Sequence, residues 1–113
     1  MHKRGIIHKD IKLENILMSN LSRKPLAKIA DFGSAEKLMT VDSKATMLIG
    51  TPGYMAPELV AGQGYTCAVD IYSLGALMHA LLTARLPFWS PYKDEHLTKL
   101  LHEDLDFNSD VYL

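Results

Sequence analysis

The sequence predicts an α+β fold, mostly helical, with short β strands around a polar loop and one central buried helix. Three observations predict it. The apolar runs Ile6-Ile7, Ile16-Leu17-Met18 and Leu26-Ala27-Lys28-Ile29-Ala30 are long enough only for brief strands. The polar stretch His8-Lys9-Asp10-Ile11-Lys12-Leu13-Glu14-Asn15 lies between the first two of them. Thr66 to Arg85 spreads Val69, Ile71, Tyr72, Leu74, Leu77, Met78, Leu81 and Leu82 over nearly every face of a helix, and a helix that is apolar all round belongs inside a structure.

In chain order, Met1–Gly5 is a polar lead-in closed by a glycine, and Ser19–Pro25 is a turn rich in Ser, Asn and Pro. The third strand carries Asp31 at its end. Ser34–Ile49 has little periodicity, holds Thr40, Ser43 and Thr46, and reads as a mobile surface segment. Gly50-Thr51-Pro52-Gly53-Tyr54 is a breaker-rich turn. Pro57 suits the first position of a short helix reaching about Ala61, and Gly62-Gln63-Gly64 ends it. The long helix over Thr66–Arg85 ends against Pro87. A last helix runs from Lys93 to Glu103, with Asp94 and Glu95 in its first turn and Leu97, Leu100 and Leu101 as one stripe. Leu105–Leu113 shows no clear period. Covering the long helix on all sides needs more than one amphipathic helix and some loops. Leaving about five large side chains half exposed forfeits roughly 5 kcal/mol, which rivals the whole stability of a small domain. The 113 residues therefore read as part of something larger.

Composition narrows the function. Hydrophobic residues make up 48% and charged residues 22%, as in globular chains. A net charge of −1 gives no electrostatic case for nucleic acid or for a membrane surface, and the apolar stretch Leu74–Leu82 is too short to span a bilayer. Cys67 is the one cysteine and forms no internal disulfide. With no signal peptide pattern, it points to an intracellular, cytoplasmic setting. The histidines lack metal-site spacing. Composition leaves oligomeric state open.

The chemistry concentrates in three places. Asp10, Lys12 and Asn15 put a carboxylate, an ammonium and an amide within six positions. Alone they also fit a solvated loop. Ile29-Ala30-Asp31-Phe32-Gly33 follows, with Asp31 lying 21 positions after Asp10, and Ala56-Pro57-Glu58 places Glu58 another 27 on. In this order the three signals resemble the catalytic half of a protein kinase. The resemblance covers nearly all of the chain but only the middle of such a domain, the C-lobe from the catalytic loop through the helix after the activation segment.

The resemblance implies Mg-ATP-dependent phosphoryl transfer to Ser/Thr of a protein substrate, with ATP and Mg as cofactors. Phosphoryl transfer needs metal ligands, positive charge and an acceptor for the hydroxyl proton. Asp10 would be the acceptor. Lys12 would neutralise the transferred phosphate, and its position two after Asp10 resembles serine/threonine kinases. Asn15 and Asp31 supply the hard oxygen ligands that Mg²⁺ takes. Leu17 would form the floor under adenine, with Leu77 and Leu81 packed below. Thr51 would bridge Asp10 and Lys12. Phe32 and His8 resemble the family's stacked spine. Residues alone leave Asp70 open between a loop anchor and a first-turn acid favoured by the helix dipole, and the run Asp70-Ile71-Tyr72-Ser73-Leu74-Gly75 resembles the family's anchor. Gly50–Glu58 resembles the segment that receives the residue after the phosphoacceptor. Gly-Thr-Pro-Gly-Tyr, with Leu-Pro-Phe-Trp at 86–89, resembles the calcium/calmodulin-dependent kinase-like group.

Three departures qualify this. Lys9 stands where most members carry an arginine that grips a phosphorylated residue in bidentate fashion. The usual phosphosite position is Met47, with Thr46 one place off, so no phosphate switch is expected there. No Gly-rich loop, strand lysine or hinge precedes Met1, and no partner arginine for Glu58 follows, which leaves a costly unpaired carboxylate if Glu58 is buried. The expectation is a partial domain over residues 1–113, inactive in isolation. The alternatives are a pseudokinase-like module that captures partners through Gly50–Glu58 and the last helix, and a non-functional truncated product.

Overall fold

The computed structural model describes residues 1–20, 23–40 and 43–107. The last part of the aperiodic tail, residues 108–113, lies outside them, as do residues 21–22 of the Ser19–Pro25 turn and residues 41–42 of the Ser34–Ile49 segment. Among the described residues, four strands form two antiparallel pairs: β1 (Ile6–Ile7) with β4 (Glu36–Lys37), and β2 (Ile16–Met18) with β3 (Ala27–Ile29). Three α-helices of the described residues follow, α1 (Pro57–Val60), α2 (Ala68–Thr83) and α3 (Lys93–His102). The α+β class stands, but "mostly helical" does not, because loops and turns occupy more of the described chain than helices do.

Pairing explains why such short strands form. In β2 and β3, Ile16 faces Ile29 and Met18 faces Ala27, and the Ser19 N–H closes the hairpin on Leu26 O at 2.8 Å. β4 was not legible in the sequence. Ile7 pairs with Glu36 and Ile6 with Lys37, and Leu38 N–H donates to Gly5 O at 2.8 Å. The segment expected to be a mobile surface is thus fastened at its start. It is fastened again at Ala45, which is 2% exposed and exchanges two 2.9 Å backbone bonds with Tyr65.

The principal core joins Ile7, Ala45, Ala56, Leu59, Tyr65 and Val69, and a second cluster joins Tyr54, Ala76 and Leu77 with Ile16, Tyr72 and Leu86 around it. Both lie on the same side of α2. Its other side is bare: Ile71, Met78, Leu81 and Leu82 are exposed. The expected central buried helix is therefore central but half uncovered. The molecule measures 43 × 41 × 22 Å, and a helix with its side chains is about 10 Å thick, so a slab this thin covers only one face.

Helix ends moved inward from the expected limits. α2 starts at Ala68 rather than Thr66, and it stops at Thr83 because Ala84 turns left-handed at φ 58°, well before Pro87. α3 stops at His102 with Glu103 as its C-cap, and Leu100 is its buried residue while Leu101 stays 42% exposed. No helix among the described residues is long and apolar enough to cross a membrane.

Candidate active site

The loop after β1 is built around a buried carboxylate. Asp70, in the first turn of α2 and 1% exposed, accepts the His8 N–H at 2.8 Å and the Lys9 N–H at 2.9 Å, one on each oxygen. His2 Nε2 donates to it at 2.7 Å. The loop anchor and the helix-dipole acid are one and the same residue. With its N–H groups taken, Lys9 holds a left-handed backbone at φ 70°, where residues with a Cβ rarely sit. That turn delivers Asp10.

Histidine 8 fixes the next step. The Asp10 N–H donates to His8 Nδ1 at 3.2 Å, and His8 Nε2 lies 2.9 Å from Ala30 O. An acceptor at Nδ1 requires the proton on Nε2, so the buried ring links the loop to the end of β3. Its ring meets Phe32 edge-on at 4.9 Å and 71°. Phe32 is 53% exposed, so this contact is half open to solvent rather than a buried stack.

Asp10, Lys12 and Thr51 close a triangle. Thr51 Oγ1 donates to Asp10 Oδ1 at 2.5 Å, Lys12 Nζ donates to Thr51 Oγ1 at 2.9 Å, and Lys12 Nζ lies 3.2 Å from Asp10 Oδ2. Asn15 Nδ2 donates to Asp10 O at 2.8 Å. Burial pushes the Asp10 carboxyl up, but the bonds from Thr51 and Lys12, the Lys12 charge and Asn15 outweigh it and hold it below its ordinary value. Asp10 is therefore ionised at neutral pH.

Two oxygen donors flank this triangle. Asn15 is buried with its amide nitrogen committed to Asp10, and no described residue donates to its Oδ1. Ala30 N–H donates to Asn15 O at 2.8 Å, which ties Asn15 to the residue before Asp31. Asp31 is exposed, left-handed at φ 58°, and accepts the Gly33 N–H at 3.1 Å. Among the described residues, no group of three or more His, Cys, Asp or Glu is placed to hold a metal ion. One carboxylate and one amide oxygen still fit Mg²⁺, which takes one or two protein carboxylates and completes its shell with water and phosphate oxygens.

The turn at residues 50–55 is pinned from two sides. Ser73 Oγ lies 2.7 Å from Tyr54 O. A Cβ on Gly50, at φ 150°, would sit 3.0 Å from Lys9 O. These contacts, together with the bonds of its own hydroxyl to Asp10 and Lys12, hold Thr51 over Asp10.

Other expected residues land differently. Leu17 is 55% exposed on β2, and its neighbour Ile16 is the one packed with Leu77. Strand alternation turns Leu17 to the face opposite Ile16, and Leu81 on α2 is 65% exposed, so it packs beneath neither. Glu58 is half-buried rather than buried, so solvation reduces the cost expected for an unpaired carboxylate. Burial, and then Glu58, raise the nearby Tyr72 phenol to about 12. Sequence reasoning missed Glu36, Ser73 and Tyr65. A two-residue strand such as Glu36–Lys37 offers no usable period.

Comparison with other proteins gives the family. The family description "Protein kinase domain" matches residues 1–110. This chain belongs to the protein kinase domain family. It is 40% identical over 105 residues to protein kinase 2 of Dictyostelium discoideum, covering 93% of this chain and 21% of that protein. It is 41% identical over 95 residues to protein kinase C delta type of Homo sapiens, covering 84% and 14%. With the RAC serine/threonine-protein kinase of Drosophila melanogaster, it shares 35% over 111 residues, covering 98% and 18%. The kinase-domain chain thus spans about a fifth or less of these relatives' lengths.

Proposed function

We propose that these residues are the catalytic part of a serine/threonine protein kinase, which in its full-length protein moves the terminal phosphoryl group of Mg-ATP to a Ser or Thr hydroxyl of a protein. The observation that carries this is the closed triangle of Asp10, Thr51 and Lys12. Asp10, kept ionised, accepts the proton of the attacking hydroxyl. Lys12 sets positive charge beside the transferred group, and Thr51 fixes both. Asn15 and Asp31 would hold a magnesium ion, which when bound would offset phosphate charge. Leu17 offers an exposed apolar surface for the adenine ring.

The reading extends to residues 1–113 as a partial C-lobe within a reducing, cytoplasmic setting. It places the chain in the calcium/calmodulin-dependent kinase-like group on the strength of Gly50–Tyr54 and Leu86–Trp89. The substrate chain lies along Gly50–Glu58, beside a cavity of about 300 Å³ that Leu48, Pro52, Met55 and Leu97 help to line. That same cavity favours, as a second reading, a non-catalytic module that captures protein partners. Lys9 is already paired with Glu36, which supports the absence of a phosphate switch at Thr46.

Phosphate transfer to a generic Ser/Thr peptide by the full-length protein tests the proposal. Asp10→Asn and Lys12→Met are each expected to lower the rate by roughly 100-fold or more. Retention of activity within about threefold in Asp10→Asn refutes proton acceptance by that residue. The 113-residue chain alone is expected to be inactive.

A further inference from the structure

Lys9 and Glu36 form an ion pair that the proposed chemistry does not use. Lys9 immediately precedes Asp10, and its side chain is 3% exposed. Its left-handed backbone is held from three directions. Its N–H donates to Asp70 Oδ1 at 2.9 Å. Its carbonyl packs against Gly50 so closely that a Cβ there would lie 3.0 Å away. Its Nζ donates to Glu36 Oε2 at 2.9 Å. The first two contacts use only the backbone. The third is the only hydrogen bond or ion pair of the Lys9 side chain to a described residue.

Glu36 reaches from β4, whose register places it opposite Ile7. It also faces Tyr65, whose phenol is held up first by burial and then by the Glu36 charge. Tyr65 Oη donates to Met47 O at 2.6 Å, and the Tyr65 backbone pairs with Ala45. One carboxylate thus stands where the loop before Asp10 meets the segment that leads to Thr51. A lysine ammonium is a point charge, and burying it without a partner is costly. Without Glu36 it leaves the interior and takes the strained Lys9 backbone with it.

We propose that Glu36 is a positioning residue of the catalytic loop, fixing through Lys9 the backbone that carries Asp10. The proposal deepens the reading of Asp10 as proton acceptor and rests on it for its functional meaning. The physical tie is measurable without any phosphate transfer.

The experiment is residue-level amide hydrogen exchange on the full-length protein, carrying Glu36→Gln, Glu36→Asp or the reversed pair Lys9→Glu with Glu36→Lys. Glu36→Gln is expected to speed exchange of the Lys9 and Asp10 amides at least about tenfold while the amides of α3 exchange as before. Glu36→Asp is expected to fall between, and the reversed pair to restore protection to within about threefold. Unchanged exchange at positions 9 and 10 overturns the proposal, and so does equal acceleration in α3, which signals a general loss of stability. If Glu36→Gln does not fold, the reversed pair decides: one that also fails to fold, or leaves position 9 unprotected, overturns it. Loss of the proton-acceptor reading is told apart by Asp10→Asn in the full-length protein, which leaves the exchange pattern of Lys9 untouched as evidence for the tie.

Discussion

The two faces of α2 are almost equally apolar in sequence and sit in opposite surroundings. Val69, Ala76 and Leu77 are at most 5% exposed, whereas Ile71, Leu74, Met78, Leu81 and Leu82 range from 43% to 72%. The buried face differs by two polar residues. Asp70 binds the backbone of the loop before Asp10, and Ser73 binds Tyr54 O in the turn that carries Thr51. Apolar attraction has no direction, so either face satisfies it. The directional bonds of Asp70 and Ser73 choose the one turned inward, and that choice sets the site on top of the helix.

The largest expected effect comes from removing the directional bond. Asp70→Ala leaves two buried N–H groups without an acceptor and is expected to cost about 3–5 kcal/mol in urea unfolding of the chain. A loss below about 1 kcal/mol breaks the comparison, because packing alone then orients α2. Leu77→Ala, on the same face, is expected to cost about 2–4 kcal/mol by leaving a cavity. Gly50→Ala forces a Cβ to within 3.0 Å of Lys9 O and is expected to cost about 1–3 kcal/mol, with the Asp10–Thr51 contact loosened. On the bare face, Leu82→Gln is expected to change stability by no more than about 0.5 kcal/mol. A cost near that of Leu77→Ala means a partner surface covers that face in solution.

The smallest effect is electrostatic. The Asp10 carboxyl titrates below its ordinary value of 3.8 in the folded chain. The bonds that lower it therefore stabilise the fold above that value, and their contribution is lost as pH falls through the folded pKa, in a window below about pH 4. Thr51→Val removes the hydrogen bond that lowers it most, so a carbon-13 titration of the Asp10 carboxyl is expected to show its midpoint rise. An unmoved midpoint means Lys12 and Asn15 hold the charge without Thr51.

The sequence by itself determined the candidate residues and most of the elements. Asp10, Lys12, Asn15 and Asp31 were legible as candidates because their order and spacing resemble the protein kinase signature, and β1 to β3 and α1 to α3 were legible from local period and breakers. Glu36 and Ser73 were not, since nothing local marks a two-residue strand or a helical serine whose acceptor lies 19 positions away. The half-bare state of α2 was not legible either. An all-apolar helix announces a need for cover, and only the tertiary structure decides which face receives it. Within 22 Å of thickness there is room to bury one, and the buried hydrogen bonds of Asp70 and Ser73, costly to leave unmade, determined which.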